Sequence, residues 1–195
     1  MLNYVIGDAT NPQFKVGTRI IAHVCNDQGG WGSGFVMALS DKWPQPEKKY
    51  REWYSWMCGG AHALPLGHIQ MVRVPIEKGE APIYIANMVA QHKFASKENP
   101  VAIRYEALIK CLYSLNEWAN HLIAVKKEIT KSVEDPIVTF HMPRIGCGLA
   151  GGDWDIVSSI ISPILDEGEV FVYDLPNGSL DVGMENLIKA IEDNS

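Results

Sequence analysis

The chain has 195 residues, 47% of them hydrophobic and 21% charged, the composition of an ordinary globular domain. A chain of this length buries most of its apolar surface on folding, so no disulfide or metal is required to hold it together. Its net charge of −6 disfavours general nucleic-acid binding; a bound anion would have to rely on local backbone N–H donors, as glycine loops and helix N-termini supply. The four cysteines, Cys25, Cys58, Cys111 and Cys147, form no CxxC pair, so neither a metal nor a cofactor is expected. No signal peptide and no apolar run of membrane-spanning length is found, which makes a reducing cytoplasm, away from membranes, the expected location.

In chain order, residues 2–6 form a short apolar strand closed by Gly7-Asp8, and Asn11-Pro12 marks a turn. Residues 19–25 (RIIAHVC) are a continuous apolar run suited to a strand buried on both faces. A glycine-dense loop, NDQGGWGSG, follows over 26–34, and then a helix over 35–42. Pro44 breaks that helix, and helical spacing resumes over 47–57 with Tyr50, Trp53, Tyr54 and Met57 on one face. Residues 68–74 alternate like a half-exposed strand, and 82–90 (PIYIANMVA) suit a central one. A long amphipathic helix is predicted over 101–125, with Leu108, Cys111, Leu112, Leu115, Trp118 and Leu122 on its apolar stripe. Residues 126–135 read as a charged surface connection, the most flexible stretch. A strand over 136–142, a second glycine loop over 143–152 (PRIGCGLAGG), a helix over 153–165 and a strand over 169–173 follow, with a terminal helix over 181–192.

Strands alternating with helices predict a single domain over residues 1–195: an α/β fold of three layers, a parallel or mixed sheet flanked by helices on both faces. Ligands of such sheets bind beyond the carboxyl ends of the strands, and both glycine loops occupy that position. Glycines let a ligand touch the backbone, and the following helix N-terminus offers unpaired N–H groups with a partial positive charge. One such loop alone is more simply a turn, but two at equivalent strand ends point to a cleft for a diphosphate. The GxxxxGK[ST] pattern is absent, which excludes a P-loop NTPase, and GWGSGF lacks the GxGxxG spacing of a dinucleotide-binding dehydrogenase.

Four ordered pieces carry a family resemblance: Val5, Gly7 and Asp8 near the N-terminus, the strand end AHVCN (22–26), the loop close GSGF (32–35), and PRIGCGL (143–149) before a helix. Together they resemble the macrodomains, over nearly the whole chain. His23 and the PRIGCGL segment are most similar to the branch containing the terminal ADP-ribose-protein glycohydrolases and the phosphatases of phosphorylated ADP-ribose. The resemblance implies a cleft for ADP-ribose, free or on an ADP-ribosylated protein, lined by Ile6, Asp8, Ala9, Asn26, Trp31, Gly32, Ser33, Gly34, Phe35, Val36, Arg144, Gly146, Cys147, Gly148, Leu149, Ala150, Gly151 and Tyr173. Asp8 would accept from the adenine amino group, although an Asp there serves equally as the cap of a turn. Asn26 would contact the distal ribose, or else tie down its own tight loop. Tyr173 would lie against the adenine, and Trp31, flanked by glycines, would cover the ligand or gate the cleft.

Cys25 shares a strand face with His23, but inert burial is the better reading of both Cys25 and Cys147. The glycohydrolase relatives use a lysine at the end of a central strand and an aspartate just after GCGL. Here the first region reads Asn87 to Gln91 with no lysine before Lys93, and Ala150 stands where the aspartate would be. A lysine adduct is therefore disfavoured, leaving a hydrolase that uses a positioned water. Asn26, Asp27 and Asp153 are its candidate catalytic residues, against plain readings of Asp27 as a solvated turn residue and Asp153 as a helix N-cap. A non-catalytic ADP-ribose-binding module and a phosphatase of phosphorylated ADP-ribose are the alternatives.

Overall fold

The computed structural model describes residues 1–59, 62–131, 136–166 and 168–176. Six strands, β1 (Leu2–Ile6), β2 (Thr18–Asn26), β3 (Ile69–Arg73), β4 (Ile83–Gln91), β5 (Val138–Pro143) and β6 (Glu169–Asp174), form one sheet in the order β1-β6-β5-β2-β4-β3. All neighbours are parallel except β3, which runs antiparallel to β4. Helices α1 (Phe35–Lys42) and α2 (Gln45–Cys58) cover one face, and α3 (Tyr105–Thr130) and α4 (Trp154–Ile164) the other.

The apolar run of β2 follows from this sandwich. Ile20 and Ala22 join the core under α3 and α4, while Ile21 and Cys25 join the one under α1 and α2. A strand with a core on each side needs apolar residues at consecutive positions. Leu108, Cys111, Leu112 and Leu115 are fully buried, and truncating a buried leucine such as Leu112 to alanine costs about 2–5 kcal/mol.

Helix α3 departs from the sequence expectation at both ends. It begins at Tyr105, because the N–H groups of Ala102 and Ile103 both donate to the Ala150 carbonyl and that of Arg104 donates to Ala90. Residues 101–104 thus stitch the second glycine loop to the end of β4. At the other end the helix runs through Thr130, so 126–130 is helical rather than a flexible connection; Lys126 reaches the Thr18 hydroxyl, and Lys131 ends the helix in the left-handed conformation. Residues 132–135 and the helix expected over 181–192 lie outside the described residues. Among the described residues, no helix is long and apolar enough to cross a membrane, and no group of three or more His, Cys, Asp and Glu could hold a metal ion.

The topology also fixes where a cleft can open. Strands β2 and β5 are neighbours, yet the chain leaves β2 for α1 on one face and β5 for α4 on the other. The connections diverge there, and the carboxyl ends of the two strands are left facing a crevice.

Candidate functional site

A cavity of about 990 Å³ occupies that crevice and continues along the ends of β6 and β1. This volume is at the upper end of the range for small-molecule sites. One wall is Ser33 to Val36 and Ala38, the start of α1; the opposite wall is Pro143 to Ala150. The far end is closed by Gly7 to Ala9 and Tyr173 to Leu175, and His23, Val24 and Gln91 complete the lining.

The two glycine loops are not equivalent. Gly34 caps α1 with φ of 75°, a left-handed conformation that favours glycine, and no side chain caps that helix or places an acid in its first turn. Its positive dipole end therefore meets the cavity without a competing carboxylate. Helix α4 instead carries its own cap: the Asp153 carboxylate accepts from the Asp155 N–H at 2.8 Å. The second loop contributes a tight backbone turn rather than a helix end. Gly146 has φ of 72°, Gly152 N–H donates to its carbonyl, and Gly151 N–H donates to Gly148. The expectation that both helix N-termini serve the anion is corrected to one helix end facing one glycine turn.

At the far end Asp8 is exposed and lines the cavity, and its two carboxylate oxygens each accept from Thr10, from the N–H and the hydroxyl, both at 2.8 Å. Arg144 forms a two-pronged pair with Asp174, 2.7 Å at each contact, with its guanidinium over the rings of Tyr4 and Trp154. That pair braces the second loop against the end of β6. His23 is buried on β2 with Nε2 2.6 Å from the Asn87 Oδ1, and burial lowers its pKa to about 4, so the ring is uncharged at neutral pH. Cys25 sits 3.7 Å from His23, but burial pushes its thiol well above the usual range; burial likewise lifts the Cys147 thiol to about 12. Neither is an activated nucleophile.

Of the residues expected to contact ligand, Asp8, Ala9, Ser33, Gly34, Phe35, Val36, Arg144, Gly146, Cys147, Gly148, Leu149, Ala150 and Tyr173 line the cavity. Ile6, Asn26, Trp31, Gly32 and Gly151 are not among its lining. Ile6 turns outward and is 66% exposed. Gly151 packs against the backbone of Pro100. Trp31 is no gate: it is buried between His23 and Tyr50, with its indole N–H donating to Ser40. Gly32 is exposed, and the loop before it is drawn onto α2, where Arg51 donates to the carbonyls of Gly29 and Trp31.

The three hydrolytic candidates also lie outside the lining. Asn26 clamps its own loop: its Oδ1 accepts from the N–H groups of Gln28 and Gly30, its amide donates to the Gly30 carbonyl at 2.7 Å, and Tyr50 donates to its backbone carbonyl. Asp27 is 1% exposed, not solvated, and is held by His92 Nδ1 at 2.6 Å, the Lys93 N–H and Gln28. Asp153 is the exposed N-cap of α4. Direct contact with a ligand in this cavity therefore falls to other groups. Sequence reasoning passed over Gln91 and treated His23 as a family marker and a cysteine partner, not as a residue lining the cleft. The register pairing Asn26 with Gln91 puts the end of β4 at the cavity floor, a signal that exists only once strand order is known.

No family model matches the chain. A solved macrodomain protein from Streptomyces coelicolor is 39% identical, with a TM-score of 0.67 over 89% of this chain and 99% of that one. The chain belongs to the macrodomain family. Among curated proteins, the Chromodomain-helicase-DNA-binding protein 1-like of Danio rerio is 30% identical over 78% of the macrodomain, which spans 13% of that protein's length. An ADP-ribose 1''-phosphate phosphatase of Meyerozyma guilliermondii is 24% identical over 82% of the macrodomain and 91% of its own length.

Proposed function

We propose that this macrodomain binds ADP-ribose, free or carried on a protein, and hydrolyses a bond at the distal ribose. The observation that carries the reading is the uncapped start of α1 facing the Gly146–Gly148 turn across one cavity, a site for a diphosphate with no cation in either wall beyond the already paired Arg144. Asp8 and Tyr173 at one end suit the adenine, which leaves the distal ribose toward His23 and Gln91. Breaking the bond at the anomeric carbon develops positive charge on the sugar and needs a water or carboxylate nearby. The uncharged His23 imidazole can orient a water, while Asn26, Asp27 and Asp153 act by shaping the loops around it. The kinship with an ADP-ribose 1''-phosphate phosphatase supports a second substrate class, a phosphate ester on the same ribose. The thiols of Cys25, Cys111 and Cys147, none in a disulfide, suit a reducing cytoplasm.

Free ADP-ribose is expected to bind with roughly −7 to −8 kcal/mol, low micromolar or slightly weaker. Wild type and His23→Ala would be assayed on ADP-ribosylated protein and on ADP-ribose 1''-phosphate, with calorimetry alongside. Absence of heat at millimolar ADP-ribose rejects the binding assignment. Binding without turnover of either substrate rejects hydrolysis and makes the protein a recognition module.

A further inference from the structure

Behind the adenine end of the cavity lies a polar chain, buried except for Gln13 at its outer end. Thr139 and His141 on β5 are both fully buried, and Thr139 Oγ1 is 2.8 Å from His141 Nε2. His141 Nδ1 is 2.9 Å from the Tyr173 hydroxyl, which also accepts from the Gln13 N–H at 3.1 Å. The Gln13 side-chain amide reaches back to the Ile6 carbonyl at 3.1 Å. The segment carrying Asp8 is thus closed into a loop whose far end is pegged to the tip of Tyr173.

The ring stack agrees with this arrangement. Phe14 lies on Phe171 with centroids 5.3 Å apart, and Phe171 lies on the His141 imidazole at 5.2 Å and 10° between planes. Burial, and then the charge of Arg19, lowers the His141 pKa to about 3, so the ring stays neutral. The Tyr173 hydroxyl can donate to Nδ1 while it accepts from the Gln13 N–H, in the tautomer whose Nε2 proton faces Thr139; each ring nitrogen then has one partner. The wall of the adenine slot and the peg of the Asp8 loop are therefore the same side chain, and its hydroxyl is fixed from behind by a ring that touches no part of the cavity.

We propose that the His141–Tyr173–Gln13 chain sets where the Asp8 carboxylate stands against the purine, making His141 a positioning residue for discrimination between 6-amino and 6-oxo purines. The inference rests on the ADP-ribose reading of the cavity. A carboxylate accepts from an exocyclic amino group and repels a carbonyl oxygen in its place, so a displaced loop loses the preference while the diphosphate contacts remain.

The test compares the affinities for ADP-ribose and inosine diphosphate ribose. Wild type should prefer ADP-ribose by about tenfold or more, the size of one hydrogen bond to a charged acceptor. In His141→Phe, which keeps the stack on Phe171 but has no acceptor, and in Tyr173→Phe, which lacks only the hydroxyl, that ratio should fall toward one with both ligands still binding. His141→Asn, whose amide oxygen can take the place of Nδ1, should restore it. A role confined to stability would lower the melting temperature and leave the ratio alone. A wild-type ratio retained in either folded phenylalanine variant, or no preference in wild type, overturns the inference while ADP-ribose binding stands. Failure of wild type to bind either ligand overturns the ADP-ribose reading as well.

Discussion

Asp8 already holds two donors from Thr10, yet each of its oxygens keeps a lone pair, and the residue is exposed to the cavity. Its turn-capping and ligand-accepting roles are therefore compatible. Asp8→Ala should weaken ADP-ribose binding by about 1.5–3 kcal/mol, one hydrogen bond to a charged acceptor, as read by calorimetry. Unchanged affinity would remove Asp8 from the ligand site. The glycines of the second loop differ as probes. A side chain at Gly146 would be strained at φ of 72° and would strike Ile103, whereas at Gly148 it meets nothing within 4 Å. Gly148→Glu should accordingly fold normally and abolish binding, by placing bulk and negative charge against the diphosphate. A folded Gly148→Glu protein with wild-type affinity would show that the anion lies elsewhere.

The first glycine loop is two elements in one. Residues 26–32 are anchored to α2 and β4, and only 33–36 reach the cavity. Asp27 is the main stitch to β4. Burial tends to raise its pKa, but the Lys93 N–H, Gln28 and His92 outweigh that and hold the carboxyl below its ordinary value. A group with a depressed folded-state pKa stabilises fully above its unfolded value of about 4, and loses that contribution as pH falls through the folded value. In urea unfolding, the stability advantage of wild type over Asp27→Asn should shrink as pH falls below about 4. A difference that does not change with pH would mean that the carboxylate's charge contributes nothing. The sequence could not reveal this stitch, because His92 lies 65 positions away in the chain. Strand and helix positions were legible because burial writes a pattern into the sequence, a continuous apolar run in β2 and a helical period in α3. The start of α3 was not: Val101, Ala102 and Ile103 continue an apolar pattern, and their pairing with the Ala150 carbonyl and with the end of β4 keeps them out of the helix. Trp31 misled for a related reason. Glycine neighbours suggest an exposed tip, but its partners Tyr50 and His23 come from elsewhere in the fold.

For the whole molecule, a net charge of −6 opposes a doubly charged diphosphate at long range, while the start of α1 attracts it only within a turn or so. Salt screens the first effect more than the second, because the Debye length shrinks from about 30 Å at 0.01 M to about 8 Å at physiological strength. The association rate for ADP-ribose in stopped flow should therefore rise with added salt. A rate that falls would show that a positive surface field steers the ligand.

Strand β1 stands at the margin of the sheet and pairs only with β6 among the described residues, whereas β2 and β5 are flanked on both sides. A base beside Asp8 and a diphosphate at the start of α1 would thus be gripped by parts of unequal stiffness. Segments with few partners open most readily, so amide hydrogens of β1 and the turn after it should exchange with solvent faster than those of β2. ADP-ribose should slow exchange most at the β1 end, where there is most opening to suppress. A protection pattern confined to the ends of β2 and β5 would place the purine somewhere other than beside Asp8.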